Sequence, residues 1–290
     1  MANLKEIRNR ISSVGSTMQI TSAMKMVSAA KLKKAQDAIT AMRPYSEKLT
    51  ELLQNLSATL EGDAGGKYSE QREVNKVLIV AITSNRGLAG AFNSNIMKEA
   101  RNLVGGVYAG KKVDFMTLGK KGNDLIKKNN SIFHNNNAIF DDLSFDASSE
   151  IAQKLMDLYA EGKYDKIVLV YNSFRNAATQ VVISEQFLPI LPTQNVLQES
   201  KQSETFYIFE PSKEEIVEAL IPKSLKTQLF KALRDSVASE HGARMTAMHK
   251  ATDNATELRD NLKLQYNKAR QAAITNEILE IVGGAEALAG

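Results

Sequence analysis

The chain has 290 residues, 43% of them apolar and 24% charged, the balance of an ordinary globular protein with one large domain or two modest ones. It contains no cysteine and no tryptophan, which excludes disulfides, thiol regulation and cysteine-based zinc sites and argues against a large aromatic core. The formal net charge of +4 is uneven: residues 1–60 carry nine Lys/Arg against four Asp/Glu, and the rest of the chain is close to balanced.

The start, "MANLKEIRNRISSVG", has no continuous apolar region, so no signal peptide is expected. No run of about 18 apolar residues occurs, so no bilayer-spanning helix is expected either. Leu4, Ile7, Ile11, Val14 and Met18 recur at heptad spacing. The frame passes through Thr21, Lys25 and Ser28 and returns at Leu32, Ala35, Ile39 and Met42. A 3.5-residue apolar repeat predicts a left-handed coiled coil. Polar residues at Thr21, Lys25 and Ser28 predict a weakened seam there, loosely paired or facing another partner. Pro44 is expected to interrupt the helix. Leu49, Leu52, Leu53, Leu56 and Leu60 then resume an amphipathic stripe as far as a Gly62–Gly66 loop.

The middle alternates strands and helices. "KVLIVAIT" is a buried strand and "NSNIMKEARNLV" a helix. "KKVDFMTLG" is a second strand, followed by the helix-like "KKGNDLIKK". The Asn-rich "NNSIFHNNNAIF" reads as a loop. "DASSEIAQKLMDLYAEG" is a helix with Asp146 and Ser148 as cap candidates. "KIVLVYNSF" and "TQVVISEQFLPI" are the third and fourth strands. Such alternation predicts a mainly parallel, Rossmann-like sheet from about Val74 to Glu210.

The last part returns to helix. Leu225, Leu229 and Leu233 follow Pro222, and no Gly or Pro occurs from Ala243 to Val282. Met248, Ala251, Ala255, Leu258, Leu262, Tyr266, Ala269 and Ala273 recur at spacings of three and four. That stretch alone spans about 60 Å as helix. The fold class predicted is α/β: an antiparallel left-handed coiled coil of the N- and C-terminal helices plus an inserted Rossmann-like α/β domain. The divisions are 1–60, 74–210 and 211–290. The ending "ITNEILEIVGGAEALAG" has no Lys or Arg after Thr275. Chain ends are usually polar, so an apolar, helix-prone tail calls for something to bury it.

Signals for chemistry are weak. "TSNRGLAGAFNSN" follows the first strand, where a phosphate loop would sit. Gly87 and Gly90 give GxxG rather than GxGxxG, no GK[ST] follows, and Asp114 lies inside the second strand rather than at its end. A tight strand-to-helix turn explains it. His241 and His249 are two helical turns apart, too far to share a metal. No metal cluster, no nucleophile–base pair and no cofactor site is predicted. The basic "KMVSAAKLKK" lacks interleaved aromatics, so nucleic acid is not an expected partner.

Five stretches carry a family resemblance over Leu4 to Leu288. They are "IRNRISSVGSTMQITSAMKMVSAAKLKKAQ", "RPYSEKL", "TSNRGLAGAFN", "ASEHGARMTAMHKATDNA" and "YNKARQAAITNEILEIVGGAEAL". Together they resemble the gamma subunit of the bacterial F-type ATP synthase. The tail is the most specific part, with Ile274, Thr275, Glu277, Glu280, Gly284 and Ala285 matching in spacing as well as identity.

The resemblance implies a non-catalytic central stalk that couples proton-driven rotation of the c-ring to ATP synthesis or hydrolysis at the beta subunits. It implies no cofactor of the chain's own. Ile278, Ile281, Val282 and Leu288 would turn in an apolar bearing inside the alpha–beta sleeve. Met24 and Lys25 would face an acidic lever of the beta subunits, and Arg270, Gln271 and Thr275 would make polar contacts to one beta subunit. The α/β domain would be the foot that meets the epsilon subunit and the c-ring. The chain would be peripheral to the membrane, on the cytoplasmic face of the bacterial inner membrane. The alternative on sequence alone is a Rossmann-like nucleotide-binding protein with helical arms.

Overall fold

The computed structural model describes residues 4–59, 66–127, 131–190 and 213–289. Two long helices bracket the chain: α1, Leu4–Thr59, and α5, Lys213–Ala289. Between them lie β1 (Lys76–Ile82), α2 (Phe92–Gly105), β2 (Lys112–Leu118), α3 (Lys120–Ile126), β3 (Ile132–Asn136), α4 (Phe145–Ala160), β4 (Lys166–Phe174) and β5 (Gln180–Leu188). Contacts divide the chain into two compact units, one of Met1–Ser28 with Arg244–Gly290 and one of Ala29–Ala243. Both long helices contribute to each. Residues 62–65 of the expected Gly62–Gly66 loop, and the end of the expected α/β domain from 191 to 210, lie outside the described residues.

In the larger unit five strands run in the order β3-β2-β1-β4-β5. The first four are parallel and β5 is antiparallel to β4. Because side chains alternate across a strand, β1 feeds both faces of the sheet. Leu78, Val80 and Ile82 join α4 and α5 residues such as Leu155, Tyr159, Leu229 and Leu233 in one core. Val77, Ile79 and Ala81 join Phe92, Ile96 and Ala100 of α2 in the other. A sheet covered on both faces needs strands apolar at every position, which is why "KVLIVAI" does not alternate. Asp165 sets where β1 starts: its Oδ2 accepts from the Asn75 and Lys76 amides at 2.9 and 2.7 Å.

Four expectations are corrected. Residues 132–136 form a strand, not a loop. Their asparagines are bonded locally: Thr117 Oγ1 donates to Asn135 Oδ1 at 2.9 Å, and the Ile139 amide to Asn136 Oδ1 at 3.2 Å. The cap of α4 is neither Asp146 nor Ser148. Ser144, extended at φ −95°, accepts from the Ala147 amide, and Ser148 is buried inside the helix. Pro44 does not end α1, and Pro222 lies within α5 rather than before it. Proline's fixed φ suits a helix, and the cost is one lost backbone bond and a local clash. Buried Ile39 and Leu49, and buried Ile221 and Leu225, hold the two sides of each proline.

Buried polar contacts fix β5. The Tyr171 hydroxyl donates to Glu185 Oε2 at 2.7 Å, and Gln228 of α5 donates to Glu185 Oε1 at 2.7 Å. Burial and the neighbouring carboxylate push the Tyr171 phenol far above its ordinary range.

Candidate functional site

The smaller unit is an antiparallel helix pair. Four contacts fix its register. Arg8 Nη2 donates to the Tyr266 hydroxyl at 2.7 Å, Thr256 Oγ1 lies 3.3 Å from Met18 Sδ, Thr252 Oγ1 donates to Thr21 Oγ1 at 2.9 Å, and Lys25 Nζ lies 3.3 Å from His249 Nδ1. Residue numbers fall on α5 as they rise on α1. The heptad frame is visible in burial along α1, with Ile7, Thr21, Ser28, Leu32, Ala35 and Ile39 all buried. Of the two readings of the weakened seam, loose pairing does not hold, since Thr21 and Lys25 both meet α5. Thr21 donates in turn to the Met18 carbonyl and Ser28 to the Met24 carbonyl, so hydroxyls fill the space that apolar side chains fill elsewhere. On α5, Met248, Ala255 and Leu262 are buried one heptad apart. Leu258, expected in the seam, is 46% exposed, and Arg259 takes the inward place with Nη1 3.5 Å from Met18 Sδ. Ala273, also expected in the seam, is exposed.

Met24 and Lys25 are half-buried on α1. Arg270, Gln271 and Thr275 are exposed on α5. The pairing of residue 25 with 249 puts these two groups about 21 residues apart along α5, roughly 30 Å. They make two separate places rather than one site. Gln271 and Thr275 do share a helix face, and Thr275 Oγ1 donates to the Gln271 carbonyl at 3.0 Å. Its proton is therefore spent inside the helix, leaving that hydroxyl as an acceptor only.

Residues 270–287 are all exposed, and the register leaves no described α1 residue opposite 271–287. Ile274, Ile278, Ile281 and Val282 form a stripe along this single helix, between 49% and 67% exposed. Leu288 lies in the same helix, near its end. A contiguous apolar stripe on an exposed helix marks a surface made for a partner.

At the carboxyl end of the sheet the loop after β1 is tied to itself. Asn93 Oδ1 accepts from the Ser84 amide at 3.0 Å, and the Ser84 hydroxyl donates to the Arg86 carbonyl at 2.7 Å. The Phe92 amide is bonded to the Ala89 carbonyl. Asn85 donates to the Asn137 carbonyl and accepts from the Lys120 amide. Gly119, at φ 112°, lies so close that a Cβ there would sit 2.2 Å from the Thr83 carbonyl oxygen. The Ser84 and Phe92 amides, at the two ends of this loop, are thus used within it. Among the described residues no group of His, Asp and Glu has metal-site geometry, and no helix is long and apolar enough to cross a membrane.

A family model described as ATP synthase matches residues 3–288. The ATP synthase gamma chain of Flavobacterium psychrophilum is 71% identical over 290 residues, covering all of both chains. The chain belongs to the ATP synthase gamma chain family. That of Cytophaga hutchinsonii is 55% identical, with 99% of each chain covered. Among solved structures, the central stalk and c-ring of Tetrahymena thermophila mitochondrial ATP synthase matches with a TM-score of 0.59 and 26% identity, covering 80% of this chain and 99% of that one. A chain of the OSCP/F1/c-ring structure of Euglena gracilis mitochondrial ATP synthase matches with a TM-score of 0.68 and 21% identity, covering 98% and 94%. As a gamma chain it is a non-catalytic subunit of the central stalk.

Sequence reasoning passed over three features of the site. The Arg8–Tyr266 contact, where the guanidinium also lies 5.7 Å from the ring centroid, closes the helix pair near the start of the tail. His249 meets Lys25 across the seam, which the antiparallel register could have indicated, and Asp253 lies beside His249 one turn along α5. Leu88, at φ 64° and 65% exposed, carries no signal in the sequence beyond its place between two glycines of the loop.

Proposed function

We propose that the chain is the rotating shaft of the complex, with its tail turning inside an apolar bearing formed by the alpha and beta subunits. The exposed stripe of Ile278, Ile281 and Val282, on a stretch of helix unpaired among the described residues, carries this reading, and Leu288 is assigned to the same bearing from the resemblance. A bearing suits a tip without Lys or Arg and with few charges, because a turning contact must avoid ion pairs that hold at one angle only. Met24 and Lys25 face the acidic lever of the beta subunits, where a cation is complementary at each of three positions. Arg270, Gln271 and Thr275 contact one beta subunit nearer the tip. The α/β unit is the foot that meets the epsilon subunit and the c-ring, at the cytoplasmic face of the inner membrane, as a peripheral protein. Rotation then stabilises a different state of each beta subunit at each angle, which is coupling through differential contacts.

The test is reconstitution of alpha and beta with the chain carrying Ile278→Glu and Ile281→Glu. The bearing predicts at least a tenfold loss of assembly or ATPase turnover, since each buried Ile is worth about 1.5–3 kcal/mol. The helicity of the variant chain alone should match the parent. Assembly and turnover equal to the parent would remove the bearing from the tail.

A further inference from the structure

One nitrogen in the helix pair has two claimants. His249 Nδ1 lies 3.3 Å from Lys25 Nζ of α1 and 3.4 Å from Asp253 Oδ2, one turn along α5. An ammonium only donates and a carboxylate only accepts. With a lone pair on Nδ1, the imidazole accepts from Lys25 and cannot bond Asp253. With a proton on Nδ1, it donates to Asp253 and turns an N–H toward Lys25, which then has no acceptor there. The two bonds exclude each other, and the proton on Nδ1 decides between them.

On α1 the neighbouring turns present Thr21, Ser22 and Ser28, and on α5 Met245, Thr246 and Thr252. Thr21, Ser28 and Thr252 donate to one another or to their own helices. The charged groups at the site are Lys25 from α1 and Asp253 from α5, with Lys250 next to His249 in sequence. His249 and Asp253 are 55% and 63% exposed, so both are open to water. Histidine is the side chain that changes charge between about pH 5 and 8.

We propose that His249 is a positioning residue for Lys25: neutral, it ties the ammonium to the shaft; protonated, it turns to Asp253 and releases the ammonium to an acidic partner. This rests on the reading that Lys25 faces the acidic lever. Acidification then strengthens the rotor's grip on its partner at this level of the shaft, by the worth of one exposed ion pair, about two- to fivefold in affinity.

Two measurements separate the switch from the reading beneath it. The chain has three histidines, so imidazole nitrogen resonances of the full chain are few, and His249→Asn identifies one of them by its loss. At pH 8 the His249 ring should carry its proton on Nε2, and Lys25→Met should shift that balance toward Nδ1–H. An Nδ1–H tautomer in the parent at pH 8, or a balance unmoved by Lys25→Met, overturns the switch. The second measurement is the affinity of the full chain for the alpha–beta hexamer at pH 8 and pH 6. The parent should gain two- to fivefold more on acidification than His249→Asn, whose side chain does not titrate. Lys25→Met binding as the parent does at both values would instead overturn the reading of Lys25 as a partner contact, and the release step with it.

Discussion

Single residues decide local geometry here through atoms that sequence patterns do not order. Ser144, Asp146 and Ser148 are all acceptable caps by type, and only the extended backbone at Ser144 selects it. Ser144→Ala should lower stability by about 1 kcal/mol, read as a lower thermal midpoint, and Asp146→Ala should cost less. The surroundings of His134 give a pH dependence. Burial, then the Lys154 ammonium, holds its imidazole below the ordinary range. Unfolded chains take up this proton at about pH 6.5 and the folded chain only at lower pH, so the unfolded state binds more protons in between. Stability is therefore unaffected well above pH 6.5 and falls as pH drops below it. His134→Gln should flatten that fall while matching the parent at pH 8. The difference should stay under about 1 kcal/mol for a partly solvated group. Urea unfolding of both chains at pH 8 and pH 5.5 measures it, and parallel curves would rule out His134 as the cause.

At the scale of elements, period was legible and interruption was not. The heptad frame of α1 predicted the buried positions from Ile7 to Ile39, because a 3.5-residue repeat has one way to face a partner. The apolar runs of β1 and β4 were legible for the same reason, since a strand covered on both faces has no polar position. Proline and asparagine misled. Pro44 and Pro222 signal helix ends only where no packing outweighs a lost bond, and β3 is held by an edge position and local asparagine bonds that no alternation announces. The polar seam was legible but its pairing was not, because Thr252 meets Thr21 only once the register is known. That pair predicts a non-additive cycle. Thr21→Val should cost about 0.5–1 kcal/mol by removing the hydroxyl contact across the seam, because the Thr252 hydroxyl can still donate to the Met248 carbonyl. Changing both to valine should cost less than the two single changes summed. Denaturant unfolding of the three variants gives the coupling, and strict additivity would show that the hydroxyls do not act as a pair.

For the whole molecule, the sequence carried the family through nearly its entire length, while the partner contacts stay implicit because half of each contact belongs to other chains. What the structure adds is separation. Lys25 and Gln271 stand about 30 Å apart along the shaft, with Thr275 bonded back into the helix beside Gln271. Two consequences follow for the assembled complex. Gln271→Ala should weaken assembly by about 0.5–1.5 kcal/mol, the worth of one hydrogen bond. Thr275→Ala should weaken it less, because that hydroxyl has no proton left to give. On the proposed contact of Lys25 with the acidic lever, Lys25→Glu should impair proton-coupled synthesis in reconstituted vesicles more than it impairs folding. Sites that far apart with no shared partner add within about 0.5 kcal/mol. Lys25→Glu combined with Gln271→Ala should therefore lower the affinity for the alpha–beta hexamer by the sum of the two single losses. A rigid shaft that grips at two independent levels requires that sum. A combined loss well below it would mean that the two levels engage as one contact, and that the shaft yields between them rather than transmitting torque through both.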